Sequence, residues 1–336
     1  MRPRTRRAAR IVRRLAALAL SDLEGFGDRL ERHSGRAVHL ESAVLLPDAP
    51  SGVCLRTAGA DYLYYEKQTS PFHQAHILVG MAAHLLTETP GAGVDPRLVP
   101  DVSPRLARLI LGDTERRPLT QDQAEALTFR ALRRAGAAAC PARLARWFLQ
   151  QLSPLHVALL DAVPEAAARP CAVGRPDAGL RLYRQVIEIR DAMLALRPYR
   201  DPRVVSAAEV AARAAGLGTD ALAASVEATV LAAAVAAKSA GSAEFAQPGE
   251  VWQPAAISAD LRGEAAWLAK VSRAFARPLP LDQPRSIALL DGSPHAGELV
   301  RGRRPGRFRS GSRLDGHLAP REARQLRRRE DWRGRS

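Results

Sequence analysis

The chain has 336 residues, is 46% hydrophobic, and carries 50 Lys and Arg against 35 Asp and Glu, a formal net charge of +15. That length and apolar content suit two globular domains with a substantial core. They argue against a membrane-embedded chain, because the longest weakly charged stretch, residues 221–237, is mostly alanine interrupted by Ser225, Glu227 and Thr229.

The charge sits at the ends. Residues 1–20 contain only arginines among their charged groups, residues 301–336 are arginine-rich with Asp315, Glu322, Glu330 and Asp331, and the stretch between is close to neutral. Such ends can contact nucleic acid or an anionic surface without sequence preference, although arginine also accumulates in unconstrained ends of GC-rich genes. All basic residues except Lys67, Lys238 and Lys270 are arginine. The apolar run 15–20 is too short for a secretory leader, so residues 1–20 read as a basic N-terminal segment with an amphipathic helix. Cys54, Cys140 and Cys171 are scattered and odd in number, which gives neither a disulfide framework nor a zinc pattern and points to a cytoplasmic location.

In chain order, residues 22–33 read as a short helix with Leu23, Phe26 and Leu30 on one side, and 38–40 as a strand. The runs 52–57 and 62–66 flank Ala58-Gly59-Ala60-Asp61 and form a hairpin pattern. A helix over 70–87 follows, with Ser70 as cap and Pro71 at its first position. Residues 88–99 read as loop, 103–111 and 120–135 as helices, the latter opening on a Thr120/Gln123 capping box, and 137–141 as a domain boundary.

Beyond that boundary the pattern is helical throughout. Residues 143–162 are one candidate, with Pro154 expected to break it. Residues 179–196 form the clearest helix, with Leu182, Val186, Ile189, Met193 and Leu196 as its apolar stripe and Arg184/Glu188 as an i,i+4 pair. Helices over 206–215, 220–240 and 258–276 follow, and residues 300–336 read as a disordered basic tail. Arg184, Glu188, Arg190, Asp191 and Arg197 are a candidate ion-pair cluster.

The helix 70–87 carries Gly80-Met81-Ala82-Ala83-His84 where a zinc peptidase has H-E-x-x-H. Zinc there needs two imidazoles at i and i+4 and a Glu beside the first to take a proton from the metal-bound water. Gly80 cannot ligate and Met81 cannot accept a proton. His76 lies roughly 12 Å and His73 roughly 16 Å along the axis from His84, so neither shares an ion with it. His73 and His76, at i and i+3, are the residual chelating pair and are expected to be solvated.

The helix 22–33, the hairpin ending Ala60-Asp61-Tyr62-Leu63-Tyr64-Tyr65-Glu66, and Thr69-Ser70-Pro71-Phe72-His73 with His76-Ile77-Leu78 resemble ImmA/IrrE-type metallopeptidases over about residues 10–136. The resemblance implies a zincin-like α+β domain, found with helix-turn-helix regulators and often labelled a toxin component. It places the two family histidines at Gly80 and His84, the catalytic Glu at Met81, and the third, carboxylate ligand at Gln123, with Glu125 facing about 200° away. Only His84 is intact among these, so catalytic residues and a cofactor are not expected. A second stretch, about 141–280, resembles an all-helical domain of unknown function that follows a multi-helix membrane region in actinobacterial transporters; it rests on Leu182-Tyr183-Arg184-Gln185-Val186-Ile187 and on Glu264-Ala265-Ala266-Trp267-Leu268.

The expected function is a non-catalytic regulatory or interaction protein whose partner is a protein such as a helix-turn-helix regulator. Binding as an added strand beside residues 62–66 is one expected mode. Two other readings stand beside it: an active zinc metallo-endopeptidase with ligands relocated to His73 or His76, and a nucleic-acid-associated protein acting through its arginine-rich ends.

Overall fold

The computed structural model describes residues 3–19, 23–45, 49–57, 59–87, 121–167, 176–245 and 259–281. The helix expected over 103–111, the Thr120 cap, Cys171 and the tail 300–336 lie outside these. The described residues are mostly helical, with one three-stranded sheet near the N-terminus.

Helices α1 (Pro3–Ala19) and α2 (Leu23–Ser34) precede β1 (Ala37–Ala43), β2 (Gly52–Arg56) and β3 (Ala60–Glu66). Thr57 closes the β2–β3 hairpin, since its hydroxyl donates to the Ala60 carbonyl at 2.8 Å while Ala60 N–H donates to that hydroxyl at 3.1 Å. β3 runs antiparallel to β2 and parallel to β1, giving the order β1-β3-β2. The strand 62–66 is therefore the centre of the sheet, paired on both sides, and has no free edge for a peptide to extend. That overturns the expected strand addition there, because an added strand needs unpaired N–H and C=O groups.

Helix α3 (Pro71–Thr87) packs on β2 and β3, and α4 (Gln121–Arg134) and α1 pack on α3. Ser70 caps α3 as expected, its Oγ accepting from His73 N–H at 3.3 Å. Asp61, fully buried, ties the sheet to the helix. It accepts from Arg56 Nε at 2.9 Å and Arg36 Nε at 3.1 Å, and Arg56 Nη2 reaches the Leu85 carbonyl at the end of α3.

The second half consists of α5 (Ala142–Ala162), α6 (Ala178–Ala195), α7 (Pro202–Ala214), α8 (Thr219–Ser239) and α9 (Leu261–Phe275), with short 3-10 turns at Pro164–Ala166 and Arg197–Tyr199. α6 packs on α5, while α9 packs on both α5 and α8. One apolar cluster runs without interruption from Leu15, Leu18 and Leu78 through Leu152, Val186 and Leu231 to Trp267 and Leu268. A small satellite of Ala208, Ala212, Val226 and Val230 joins α7 to α8. Among the described residues α8 is long and apolar enough to cross a membrane, yet 50% of its apolar window is buried in the fold. It also contains Glu227, which is buried and accepts from Arg200 Nη2 at 2.8 Å.

Pro154 does not break α5, contrary to expectation, for the helix is continuous through it. The reason is orientation. Pro154 and Gln150, whose carbonyl loses its N–H partner, are both on the exposed side, where water replaces the missing bond. Phe148, Leu152, Leu155 and Leu159 hold the two halves of the helix on the core. Pro154→Ala should therefore raise stability, by up to about 3 kcal/mol, read as a higher thermal unfolding midpoint.

Candidate functional site

Two helical stripes and a third wall line a half-open cavity of about 840 Å³. α3 contributes His76, Gly80 and His84, spaced i, i+4, i+8 along one side. α6 contributes Arg184, Glu188, Asp191 and Ala195, spaced i, i+4, i+7, i+11, and α4 contributes Ala124, Glu125 and Thr128. The strip between β1 and β2, the end of β3 and the segment after α6 complete it through Ser51, Glu66, Arg197 and Tyr199.

The structure separates the expected site residues. Gly80 and His84 face the cavity, whereas Met81 is 7% exposed and packs toward the sheet at Gly52, where a β-carbon would stand 3.2 Å from its Sδ. The position expected to carry a catalytic carboxylate is therefore a core position. A β-carbon at Gly80 would meet only Thr128 Oγ1, at 3.8 Å, so the glycine is not imposed by crowding.

The structure places the two candidate residues of α4 on different sides. Gln123 is exposed and away from the cavity, and Glu125, on the other side of α4, lines it opposite Gly80. Helical periodicity does put the two residues on different faces; tertiary packing decides which of those faces lies against α3. Glu125 is held by Arg184, whose Nε and Nη2 donate to its two oxygens at 2.7 Å each. This two-pronged pairing places a guanidinium from the second half directly on the carboxylate.

His73 is not solvated, and His76 is only partly exposed. His73 is fully buried beneath α6, with Nδ1 2.8 Å from Thr69 Oγ1 and Nε2 3.1 Å from Asp191 Oδ1, the latter out of line for a hydrogen bond and so an electrostatic contact. The His76 ring stacks on it, centroids 5.7 Å apart, and bonds through Nδ1 to the Tyr183 hydroxyl at 2.5 Å. Tyr183 is itself fully buried, and burial pushes its phenol well above the ordinary value, so the hydroxyl keeps its proton. That proton has no other acceptor among the described residues, so it goes to His76 Nδ1 and leaves the His76 proton on Nε2. Burial, then the neighbouring His73, lower the His76 pKa to about 3, with Asp191 opposing. By area the ring is only partly covered, its open side lining the half-open cavity, and burial is the largest cause of the shift. Burial likewise lowers the His84 pKa.

The five residues of the expected ion-pair cluster each reach a different element. Arg184 goes to Glu125 on α4, Glu188 to His156 on α5 at 2.6 Å, and Arg190 to Glu264 on α9 at 2.6 Å. Asp191 meets His73 on α3, and Arg197 donates to Glu66 at the end of β3 at 3.0 Å and to the Leu45 carbonyl. α6 is thus the hub of the molecule. Sequence inspection missed Tyr183, Glu125 and Glu66 as members of this site; the 184/188/191/195 spacing was the available sign that one face of α6 is polar for a reason.

Zinc requires three or four converging nitrogen, sulfur or oxygen donors. Among the described residues no three His, Cys, Asp or Glu side chains form such a group. Residues 141–278, covering α5 to α9 and less than half of the chain, match the profile of a family described as a family of unknown function, DUF6545. Neither the curated proteins nor the solved structures contain a match to this chain.

Two outcomes are expected. Gly80→Ala should stabilise the protein by about 0.5–1 kcal/mol, since α3 gains a better helix former in open space; denaturant titration measures it. In the unfolded chain His76 titrates near 6.5 and in the fold near 3, so between those values the unfolded state binds the extra proton. Stability should fall as pH drops from 6.5 toward 3, by on the order of 1.4 kcal/mol per pH unit from this group, and His76→Phe should flatten that slope in unfolding measured across the range.

Proposed function

We propose that the protein is a non-catalytic interaction protein: a metallopeptidase-like N-terminal half, joined to an all-helical second half, whose cavity receives part of a protein partner. The observation that carries this reading is the Arg184–Glu125 pair. A carboxylate facing the cavity beside Gly80 and His84 is neutralised by a guanidinium from α6, which supplies the countercharge a metal cation would otherwise give.

Other features support it. The zincin-like description rests on α3 lying across a three-stranded sheet with α4 behind it. At the motif, Gly80 has no donor, Met81 is core, and His76 is held by Tyr183 in the tautomer whose Nε2 carries hydrogen rather than a lone pair for a metal. The residues present do not suit a zinc ion, so no hydrolytic step is derived. With β3 paired on both edges, the cavity replaces the sheet edge as the binding surface. Its mixed polar and apolar walls and 840 Å³ volume accommodate a few residues of a partner's chain. The resemblance to ImmA/IrrE-type proteins makes a helix-turn-helix regulator encoded beside this gene the first partner to try.

The full-length protein, purified after exposure to excess zinc and dialysed, should retain well under one zinc per chain and cleave no regulator. The same preparation should bind that regulator saturably, and Gly80→Trp, which projects a bulky side chain into the cavity, should weaken binding. Stoichiometric zinc that disappears in His84→Ala, or absence of saturable binding to any regulator of the locus, would overturn the reading.

A further inference from the structure

We propose that the exposed face of α1 binds the phosphate backbone of nucleic acid, a function separate from the cavity and independent of the reading given for it. Arg10, Arg13 and Arg14 stand at i, i+3 and i+4 and so share one side of the helix, and all three are exposed. Among the described residues none of the three has a hydrogen bond or a carboxylate partner. Arg130, Arg134, Arg143 and Arg146 are likewise exposed with no carboxylate partner among the described residues, whereas the less exposed arginines are held differently. Arg36, Arg56, Arg184, Arg190, Arg197 and Arg200 each grip a carboxylate.

The arrangement works against the helix that carries it. Like charges at i,i+3 and i,i+4 repel by a few tenths of a kcal/mol per pair. α1 has no acid in its first turn, and residues 1–20 contain none at all. A surface helix shaped only by its own stability would intersperse acids; this one keeps its field undiluted, which suits a polyanion.

The opposite side of α1 decides between polyanions. A basic amphipathic helix that anchors to lipid does so by burying its apolar face in the bilayer boundary. Here that face is already used. Leu15 and Leu18 are 0% exposed and Ala16 5%, packed against α4 and α3. Only the cationic side remains, and cations without an apolar anchor suit phosphodiester backbones, where each neutralised phosphate releases counterions.

The test is a fluorescence-anisotropy titration of full-length protein against a mixed-sequence DNA duplex of about 20 base pairs, repeated between about 50 and 200 mM salt. The triple variant Arg10→Gln/Arg13→Gln/Arg14→Gln should bind more weakly, with the slope of log K against log salt flatter by roughly 2.7, at about 0.9 for each phosphate that the variant no longer neutralises. The corresponding triple Lys variant should keep the slope, and both should melt like the parent. Because the C-terminal arginines are present in every sample, the difference reports α1 alone. No DNA binding by the parent, an unchanged slope in the Gln variant, an equal weakening in the Lys variant, or retention on phosphatidylserine vesicles without retention of DNA would each overturn the proposal.

Discussion

The structure depends on one constraint: charged groups removed from water must be paired. α6 and the turn after it carry Arg184, Glu188, Arg190, Asp191 and Arg197, and each finds its counterpart on a different element. The Arg197–Glu66 contact is the most enclosed link to the sheet, its side chains 5% and 2% exposed, and Glu66 also accepts from the N–H groups of Leu45 and Gln68. Leaving either partner of such a pair alone costs about 3–5 kcal/mol, a large share of the roughly 5–15 kcal/mol that holds a domain together. The packing of the N-terminal helices and sheet against the helical second half is therefore specified by polar geometry as well as by the shared apolar core.

That specification reaches into α3. In α3 the side chains at 73 and 76 are engaged by Asp191 and Tyr183, position 81 by the sheet, and the carboxylate across the cavity by Arg184. Polar groups that could serve chemistry are instead consumed in holding α6. What is left over is space: a half-open cavity of mixed polar and apolar lining, whose carboxylates Glu66, Glu125 and Glu165 are paired with Arg197, Arg184 and Lys238.

Much of the local structure was legible in the sequence because it is decided locally. Ser70 and Pro71 start α3 as their chemistry dictates, and the stripe from Leu182 to Met193 faces the core. The hairpin could be read from its turn residues, but the parallel pairing of β1 with β3 could not, for nothing near residues 37–43 encodes the strand they lie beside. Pro154 misled because its effect depends on whether the freed carbonyl faces water. His73 and His76 looked like surface residues because what covers them, Tyr183 and Asp191, lies more than a hundred residues along the chain. That Glu125 and not Gln123 faces the cavity was not legible, because helical periodicity separates faces without saying which one a neighbour occupies.

The most direct measurement is the nitrogen chemical shift of the His76 ring, recorded by NMR on selectively labelled full-length protein from neutral to acid pH. A neutral ring with its proton on Nε2, unchanged until pH approaches about 3, is the result expected of a histidine built into the contact between α3 and α6. A ring that titrates near 6.5, or one that shifts its proton to Nδ1 and binds added zinc through Nε2, would contradict that account.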